Sequence, residues 1–451
     1  MKKLFGTDGI RGEANVELSS QIAYLTGLYS AYVLAEDQKK RTVVIGKDTR
    51  KSCDMIESAL CAGLLSVGLD VVLLGVVPTP AIPHLIREYE AELGIMISAS
   101  HNPAEFNGIK LFNKKGLKLS DEIEAKIEAL IKEDDRSKLQ LSSLNVGSLR
   151  YEPEAHRKYQ DILLKHADFD LQGMKIALDC ANGSNYKIAP EILRSLGAEL
   201  FVIGDAPDGL NINKDCGSTH LGRLQDLTKE KQAHIGIAFD GDADRILAVD
   251  ENGDLIDGDR IILAIAKDLK RKELLKNNTV AVTVMSNMGL EIALRNEEID
   301  LVRTKVGDRY VLESMLHHDY SLGGEQSGHI IIKDLNTTGD GLATCLNLLG
   351  VLKNGRGKAS DITNGMQSLP QVLLNVKVPN TIKYGIEELE EVRAAVLDVE
   401  EKLHRKGRVL LRASGTEPML RVMVEGENRE EIEKHAKDLA KLIEALSEEG
   451  K

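Results

Sequence analysis

The sequence predicts an α/β protein of four domains: three carry βαβ-type mixed sheets covered by helices, and a smaller α+β domain follows at the C-terminus. Three observations carry this. The chain has 451 residues, which at about 150 residues per domain gives about three domains and allows two to four. Short apolar, β-branched runs alternate with helical periodicities over most of the length, the pattern of parallel or mixed sheets buried beneath helices. Beyond residue 364 the rhythm changes, and strands and helices succeed one another as in a small α+β unit.

The first unit of the cadence opens with the strand-like run 42–46, Thr-Val-Val-Ile-Gly, which ends in the polar stretch Lys47-Asp48-Thr49-Arg50. Ile56, Leu60, Gly63 and Leu64 then fall on one helical face, and 70–74 and 93–97 supply two more strands. A second unit reads as strand 175–179, a turn at Asn182-Gly183, helix 188–196, and strands 200–203 and 235–239. A third has strand 279–284, helix 289–294 and a strand around 301–303. In the C-terminal part, 372–378 is expected to be a strand and a Glu-rich helix to begin at Ile386, while strands 409–412 and 420–424 flank a Ser-Gly-Thr-Glu-Pro turn. Ile432, Ala436, Leu439, Ile443 and Leu446 recur at three- and four-residue steps, the apolar stripe of a closing amphipathic helix. Polar stretches near 142–154, 252–257 and 354–364 divide the chain into domains 1–150, 151–252, 253–364 and 365–451.

Composition excludes several classes of function. Lys and Arg number 58 against 71 Asp and Glu, a net charge of −13. Nucleic-acid binding needs clustered cations and single-strand stacking needs aromatic platforms; with 4% aromatics and no Trp, neither is expected. The charge reads instead as colloidal solubility. Cys53, Cys61, Cys180, Cys216 and Cys345 are odd in number, widely spaced and without a C-x-x-C pair. That pattern argues against a disulfide framework or zinc knuckle and for a reducing compartment. The start, Met-Lys-Lys-Leu-Phe, runs straight into Gly6-Thr7-Asp8 with no apolar signal-peptide core. The most apolar stretch, 64–82, is interrupted by Asp70, Pro78 and Pro80, too broken to span a bilayer. A soluble, cytoplasmic protein with no membrane partner is expected.

Several segments could carry chemistry. Asp240-Gly241-Asp242-Ala243-Asp244-Arg245 follows directly on strand 235–239. Carboxylates at alternate positions can converge on one hard cation, and without a cation or Arg they would repel. An EF-hand is rejected, because its sixth position needs Gly and here is Arg245, and Ile246-Leu247-Ala248-Val249 is a strand rather than a ligand loop. An aspartyl nucleophile at Asp240, and a merely solvated turn, are the alternatives to a metal site. Ser98-Ala99-Ser100-His101-Asn102-Pro103 leaves strand 93–97 at its carboxyl end, where α/β folds place their ligands. Asn107-Gly108-Ile109-Lys110 supplies a cation nearby, and an ordinary polar turn is the alternative. No Gly-x-Ser-x-Gly elbow supports an esterase triad.

Arg412-Ala413-Ser414-Gly415-Thr416-Glu417-Pro418, with Arg421 on the return strand, can form an anion nest or a plain hairpin loop. Gly323-Gly324-Glu325-Gln326-Ser327-Gly328-His329 offers hydrogen-bonding side chains suited to sugar hydroxyls, or is simply a polar loop. Gly6-Thr7-Asp8-Gly9-Ile10-Arg11-Gly12 is weak alone, and no nucleotide-binding glycine loop follows a strand.

Taken together and in this order, five segments, 6–12, 98–103, 240–245, 324–329 and 412–418, resemble the α-D-phosphohexomutases over essentially the whole chain. These are the phosphoglucomutases, phosphomannomutases and phosphoglucosamine mutases. Gln326, the opening 5–12 and the segment Arg303-Thr304-Lys305-Val306-Gly307-Asp308-Arg309-Tyr310 are similar to the phosphoglucosamine mutase subgroup, whereas phosphomannomutase/phosphoglucomutase members typically have Met where Gln326 stands. Ala243 replaces a Gly common in that subgroup but leaves the three carboxylates in place.

The resemblance implies four domains around a central cleft: a phosphoserine-loop domain, a metal-binding domain, a sugar-specificity domain and a phosphate-binding domain. It implies reversible conversion of glucosamine 6-phosphate to glucosamine 1-phosphate through phosphorylated Ser100 and a 1,6-bisphosphate; mannose or glucose phosphates on the same scaffold are the alternative. Asp240, Asp242 and Asp244, with an oxygen at Ser100, would hold one Mg²⁺ per active site, with Arg245 beside it. Glu325, Ser327 and His329 would grip sugar hydroxyls, and Arg412, Ser414, Gly415, Thr416 and Arg421 a phosphate. Arg11, Lys110, His101 and His329 are the candidates for acid and base. A hexose 1,6-bisphosphate would be the activator, and the partner a small sugar phosphate, for a monomer or homodimer.

Overall fold

A computed structural model of the chain describes residues 4–6, 8–34, 42–139, 141–355, 357–379, 382–404, 406–413 and 418–449. They form two compact units, one of residues 1–286 with 294–366 and one of 287–293 with 367–451. Among the described residues no helix is long and apolar enough to cross a membrane. All five cysteines are free and buried.

The first unit holds three sheets. The largest has seven strands in the order Phe5–Gly6, Gly9–Glu13, Phe106–Asn113, Leu93–Ile97, Thr42–Lys47, Asp70–Val76 and Leu149–Tyr151. Its central strands Leu93–Ile97, Thr42–Lys47 and Asp70–Val76 are parallel, and every residue of Leu93–Ile97 is buried, as a strand covered on both faces requires. Helices Ser20–Leu34 and Cys53–Ser66 pack over it around a core that includes Leu28, Ile56, Leu60, Val71 and Ile95. The second sheet has five strands, Leu255–Ile256, Ile246–Asp250, Ile235–Phe239, Lys175–Asp179 and Glu199–Ile203; the third has four, Asp300–Thr304, Thr279–Thr283, Leu322–Gly324 and Ile330–Ile332.

One arrangement recurs in all three sheets. A strand parallel to its neighbour leaves the core at its carboxyl end, makes a loop, and returns antiparallel. Leu93–Ile97 returns as Phe106–Asn113, Ile235–Phe239 as Ile246–Asp250, and Leu322–Gly324 as Ile330–Ile332. The connections are 98–105, 240–245 and 325–329, so three of the segments singled out in the sequence occupy one topological position in three sheets. The exiting strands Leu93–Ile97 and Ile235–Phe239 are buried throughout and carry only apolar side chains, so polar groups first appear where they end.

The second unit is an antiparallel sheet ordered Gln371–Lys377, Met419–Gly426 and Gly407–Ala413, with helix Arg429–Glu449 burying Ile432, Ala436, Leu439 and Ile443. The helix expected from Ile386 begins instead at Glu390. Ile386–Glu388 is one turn of 3-10 helix and Leu389 is extended at φ −62°, ψ 138°. Periodicity cannot separate a buried 3-10 turn from the first turn of an α-helix, whereas Glu390 and Glu391 suit the positive end of the helix dipole.

Candidate active site

Ser100 sits on the loop that leaves Leu93–Ile97. Its backbone is left-handed, at φ 55°, a conformation that costs a non-glycine residue roughly 1–2 kcal/mol and persists only where the surroundings enforce it. The side chain is buried. Its Oγ donates to Asp240 Oδ2 at 2.5 Å and lies 3.4 Å from His101 Nδ1. The alternate carboxylates of the 240–245 loop do converge: oxygens of Asp240, Asp242 and Asp244 lie within 4.8 Å of one another, and all three residues are buried. Gly241 permits the approach, because a Cβ there would stand 2.6 Å from the Ser100 carbonyl oxygen.

The donor set fits a divalent cation. Asp242 Oδ1 and Asp244 Oδ1 are buried and accept no hydrogen bond among the described residues. Burial, with Asp244 and Asp242 alongside, pushes the Asp240 carboxyl well above its usual range, the signature of crowded like charges. Thr79 Oγ1 donates to Asp242 Oδ2 at 2.5 Å, and Lys110 Nζ lies 2.7 Å from that oxygen and 3.2 Å from Asp244 Oδ2. Oxygen-only ligands of this kind suit a hard ion such as Mg²⁺.

Lys110 belongs to a closed ring of alternating charge. Asp244 meets Lys110 at 3.2 Å, Lys110 meets Asp8 at 3.1 Å, Asp8 meets Lys118 at 2.5 Å, and Lys118 meets Asp308 at 2.6 Å. Asp308 lies 3.3 Å from His329 Nε2, and His329 Nδ1 closes the ring 3.7 Å from Asp244. Burial opposes charge on Lys110, but Asp242, Asp244 and Asp8 overrule it and raise its pKa well above the ordinary value. For His329 burial likewise opposes the proton, and Asp308 and then Asp244 raise its pKa to about 10. The Gly339 amide also points at Nε2, at 3.0 Å, as it would toward a neutral ring; with a carboxylate beside each ring nitrogen we assign the imidazolium. Gly339 has no room for a side chain, since a Cβ would come within 2.5 Å of that ring.

The other expected residues are placed as follows. Arg11 Nη2 pairs with Asp8 at 2.5 Å, and its Nε is buried without a hydrogen-bond partner among the described residues. Arg245 Nη1 lies 3.4 Å from His101 Nδ1. Burial first, then Arg245 and Arg11, lowers the His101 pKa to about 4, so its ring is neutral and only weakly basic near neutral pH. The loop 325–329 is stitched to the carboxylate loop through a bridge between Arg245 and His329 and through the Ile246 amide donating to Gly328 O at 3.0 Å. Glu325 is half-buried there and Ser327 exposed. In the second unit Arg412 and Arg421 stand directly opposite on paired strands. Ser414, Gly415 and Thr416 lie outside the described residues.

Other residues absent from the expected set also reach this cluster: Asp8, Thr79, Lys118, Asp308, Asn213 and the pair Asp48–Arg50, which lies under the Ser100 loop with Arg50 Nη2 donating to Ser100 O at 2.9 Å. Asp48 and Arg50 had a signal, a charged run at the carboxyl end of a buried strand. Lys118 and Thr79 had none, because their partners are set by tertiary packing.

Comparison with known proteins gives matches along nearly the whole chain. Residues 2–138, 157–253 and 257–369 match phosphoglucomutase/phosphomannomutase alpha/beta/alpha domains I, II and III, and 373–442 the C-terminal domain of the same family. A phosphoglucosamine mutase of Clostridium botulinum strain 657 is 53% identical over 446 residues, covering 98% of this chain and 99% of the relative. One from Clostridium tetani is 51% identical over 444 residues, with the same coverage. Among solved structures, a phosphoglucomutase/phosphomannomutase family protein of Burkholderia thailandensis superposes with a TM-score of 0.79 at 23% identity, covering 98% of each chain. The Aspergillus fumigatus N-acetylphosphoglucosamine mutase, solved in complex with GlcNAc-6P and magnesium, gives 0.70 at 19% identity over 98% of this chain and 96% of that one.

Proposed function

The chain belongs to the phosphoglucomutase/phosphomannomutase family, and on that footing we propose that it interconverts glucosamine 6-phosphate and glucosamine 1-phosphate through a phosphorylated Ser100. The observation that carries the reading is the seat of Ser100: a buried hydroxyl 2.5 Å from the first of three convergent carboxylates. Relatives named phosphoglucosamine mutase, more than half identical over nearly the full length, support the choice of sugar.

Ser100 passes its phosphoryl group to the free hydroxyl of the sugar monophosphate, giving a 1,6-bisphosphate and a free serine. Ser100 Oγ then takes the other phosphoryl group, and the isomeric monophosphate leaves. Asp240, Asp242 and Asp244, with an oxygen at Ser100, would hold Mg²⁺, which when bound draws charge off the transferring group, the main demand of phosphoryl transfer. Lys110 and Arg245 add fixed positive charge at the same place. Arg11, Lys110, His101 and His329 are the candidates for acid and base; His101 is neutral, with Nδ1 3.4 Å from Ser100 Oγ, while Lys110 and His329 hold protons.

Glu325, Ser327 and His329 would recognise sugar hydroxyls. Arg412 and Arg421, with Ser414, Gly415 and Thr416, would bind phosphate: two guanidiniums opposed on neighbouring strands repel unless an anion joins them, and Arg421 Nε is buried without a hydrogen-bond partner among the described residues. The partition into 1–150, 151–252, 253–364 and 365–451 would give each of these tasks its own domain. The buried free thiols support a reducing, cytoplasmic setting.

The test is product identity. Supplied with Mg²⁺ and a trace of hexose 1,6-bisphosphate to charge Ser100, the protein should convert glucosamine 6-phosphate to glucosamine 1-phosphate faster than it converts mannose or glucose 6-phosphate. Preference for mannose would overturn the assignment of sugar.

A further inference from the structure

Ser100 lends and reclaims a phosphoryl group only if its strained backbone returns to one geometry each time, and the structure shows what imposes it. The Ser100 amide donates to Ser98 Oγ at 2.9 Å, and Ser98 Oγ donates to Asp48 Oδ2 at 2.6 Å. On the other side, the carbonyl oxygens of the loop are held by two side chains. Arg50 Nη2 donates to Ser100 O at 2.9 Å and Asn102 O at 2.8 Å, and Nη1 to Pro103 O at 2.5 Å. Asn213 Nδ2 donates to the same Ser100 and Asn102 oxygens, each at 2.9 Å.

Neither side chain is available for other work. Arg50 is completely buried with Asp48, whose Oδ2 accepts from its Nε at 3.0 Å, so a full charge has been taken out of water and spent on loop carbonyls. Asn213 is also buried, and its own amide is tied to Ala181 O at 2.9 Å. It comes from the chain segment of the five-stranded sheet, which also carries the three carboxylates, so its amide ties the serine loop to the framework that bears the acidic triplet.

We propose that Arg50 and Asn213 are positioning residues that fix the Ser100 loop by its carbonyls and so set the line from Ser100 Oγ to the carboxylate cluster; this rests on the reading of Ser100 as the phosphoryl carrier. Neither touches the reacting atoms. Misplacement by about 1 Å can cost on the order of 10²-fold in rate, and a loosened loop exposes phosphoserine to water. In that side reaction the P–Oγ bond breaks, water oxygen takes the phosphoryl group, Oγ recovers a proton, and inorganic phosphate leaves.

Asn213 gives the cleaner test, because Arg50 variants strand the buried Asp48 charge and can fail to fold. Asn213 is left-handed, at φ 58°, a conformation that Gly and Asp both tolerate. Asn213→Gly removes the donor. Asn213→Asp keeps the shape but turns an acceptor toward two carbonyl oxygens. We expect kcat to fall about tenfold in the Gly variant and about a hundredfold in the Asp variant, with KM within about twofold and more inorganic phosphate released per turnover in both. Ser100→Ala, assayed alongside with thermal midpoints for every variant, should be silent. If Ser100→Ala is silent and the isosteric Asp variant turns over and retains phosphate like the unmodified protein, the positioning role is overturned while the phosphoserine reading stands. Should Ser100→Ala turn over normally, both fall together.

Discussion

Lys110 Nζ lies 2.7 Å from Asp242 Oδ2, while Oδ1 of the same carboxylate is buried and accepts no hydrogen bond among the described residues. One ammonium thus answers part of the negative charge of the triplet and leaves the rest for a cation. Lys110→Met removes that answer from the buried Asp242 and Asp244 and from the part-buried Asp8 at once. Losing one partner of a buried pair costs about 3–5 kcal/mol, and losing one preorganised charge at a transferring group lowers kcat by about 10²–10³. Thermal unfolding with and without Mg²⁺ checks it: the variant should melt lower, and Mg²⁺ should restore more stability to it than to the unmodified protein. A metal-free variant as stable as the parent would show that the lysine carries no such load.

The charge ring makes Lys118 and Asp308 energetically coupled. Lys118→Met and Asp308→Asn should each destabilise, because each strands the other's part-buried charge, while the double variant should lose less than the two losses combined. Coupling between contacting charges is about 0.5–3 kcal/mol. Denaturant unfolding of the four proteins measures it, and strict additivity would contradict a shared pair.

Arg412 and Arg421 lead to effects of opposite sign. Directly opposed like charges destabilise a sheet by about 0.2–1 kcal/mol, so Arg412→Gln should leave the free protein as stable or slightly more so. The same change should raise KM for the sugar phosphate about ten- to a hundredfold, since it removes one arm of an anion grip. Calorimetry for stability and initial rates for KM separate the two effects.

His84 sets a stability limit on the acid side. It is buried in helix Ala81–Glu88, and burial first, then Arg87 and His166, lowers its pKa from 6.5 to about 4. Below pH 6.5 the unfolded chain takes a proton that the native protein refuses, so stability falls as pH drops and the contribution is gone once pH passes about 4. Integrated over that window the effect is about 3 kcal/mol. Denaturant unfolding between pH 7 and 4 should show a shallower loss in His84→Gln; an identical slope would contradict it.

What the sequence disclosed follows a physical line. Asp240, Asp242 and Asp244 were legible because they share one turn, and Ser100 because it begins where a buried strand ends. Arg245 and His329 fell in motifs whose loops turn out to be bridged to one another. Asp8 and Asp308 lay inside quoted segments, yet their pairing through Lys118 spans three distant stretches and leaves no local trace. The Ile386 turn is not legible as such, because burial, which periodicity reports, does not distinguish a 3-10 turn from a helix.

If Ser100 itself carries the phosphoryl group as proposed, site-resolved mass spectrometry will find it there. After treatment with glucose 1,6-bisphosphate and Mg²⁺, the chain should gain a single phosphoryl group mapped to Ser100, and glucosamine 6-phosphate should then remove it. A phosphoryl group found on Asp240, or turnover with Ser100 never modified, would rule out Ser100 as the carrier.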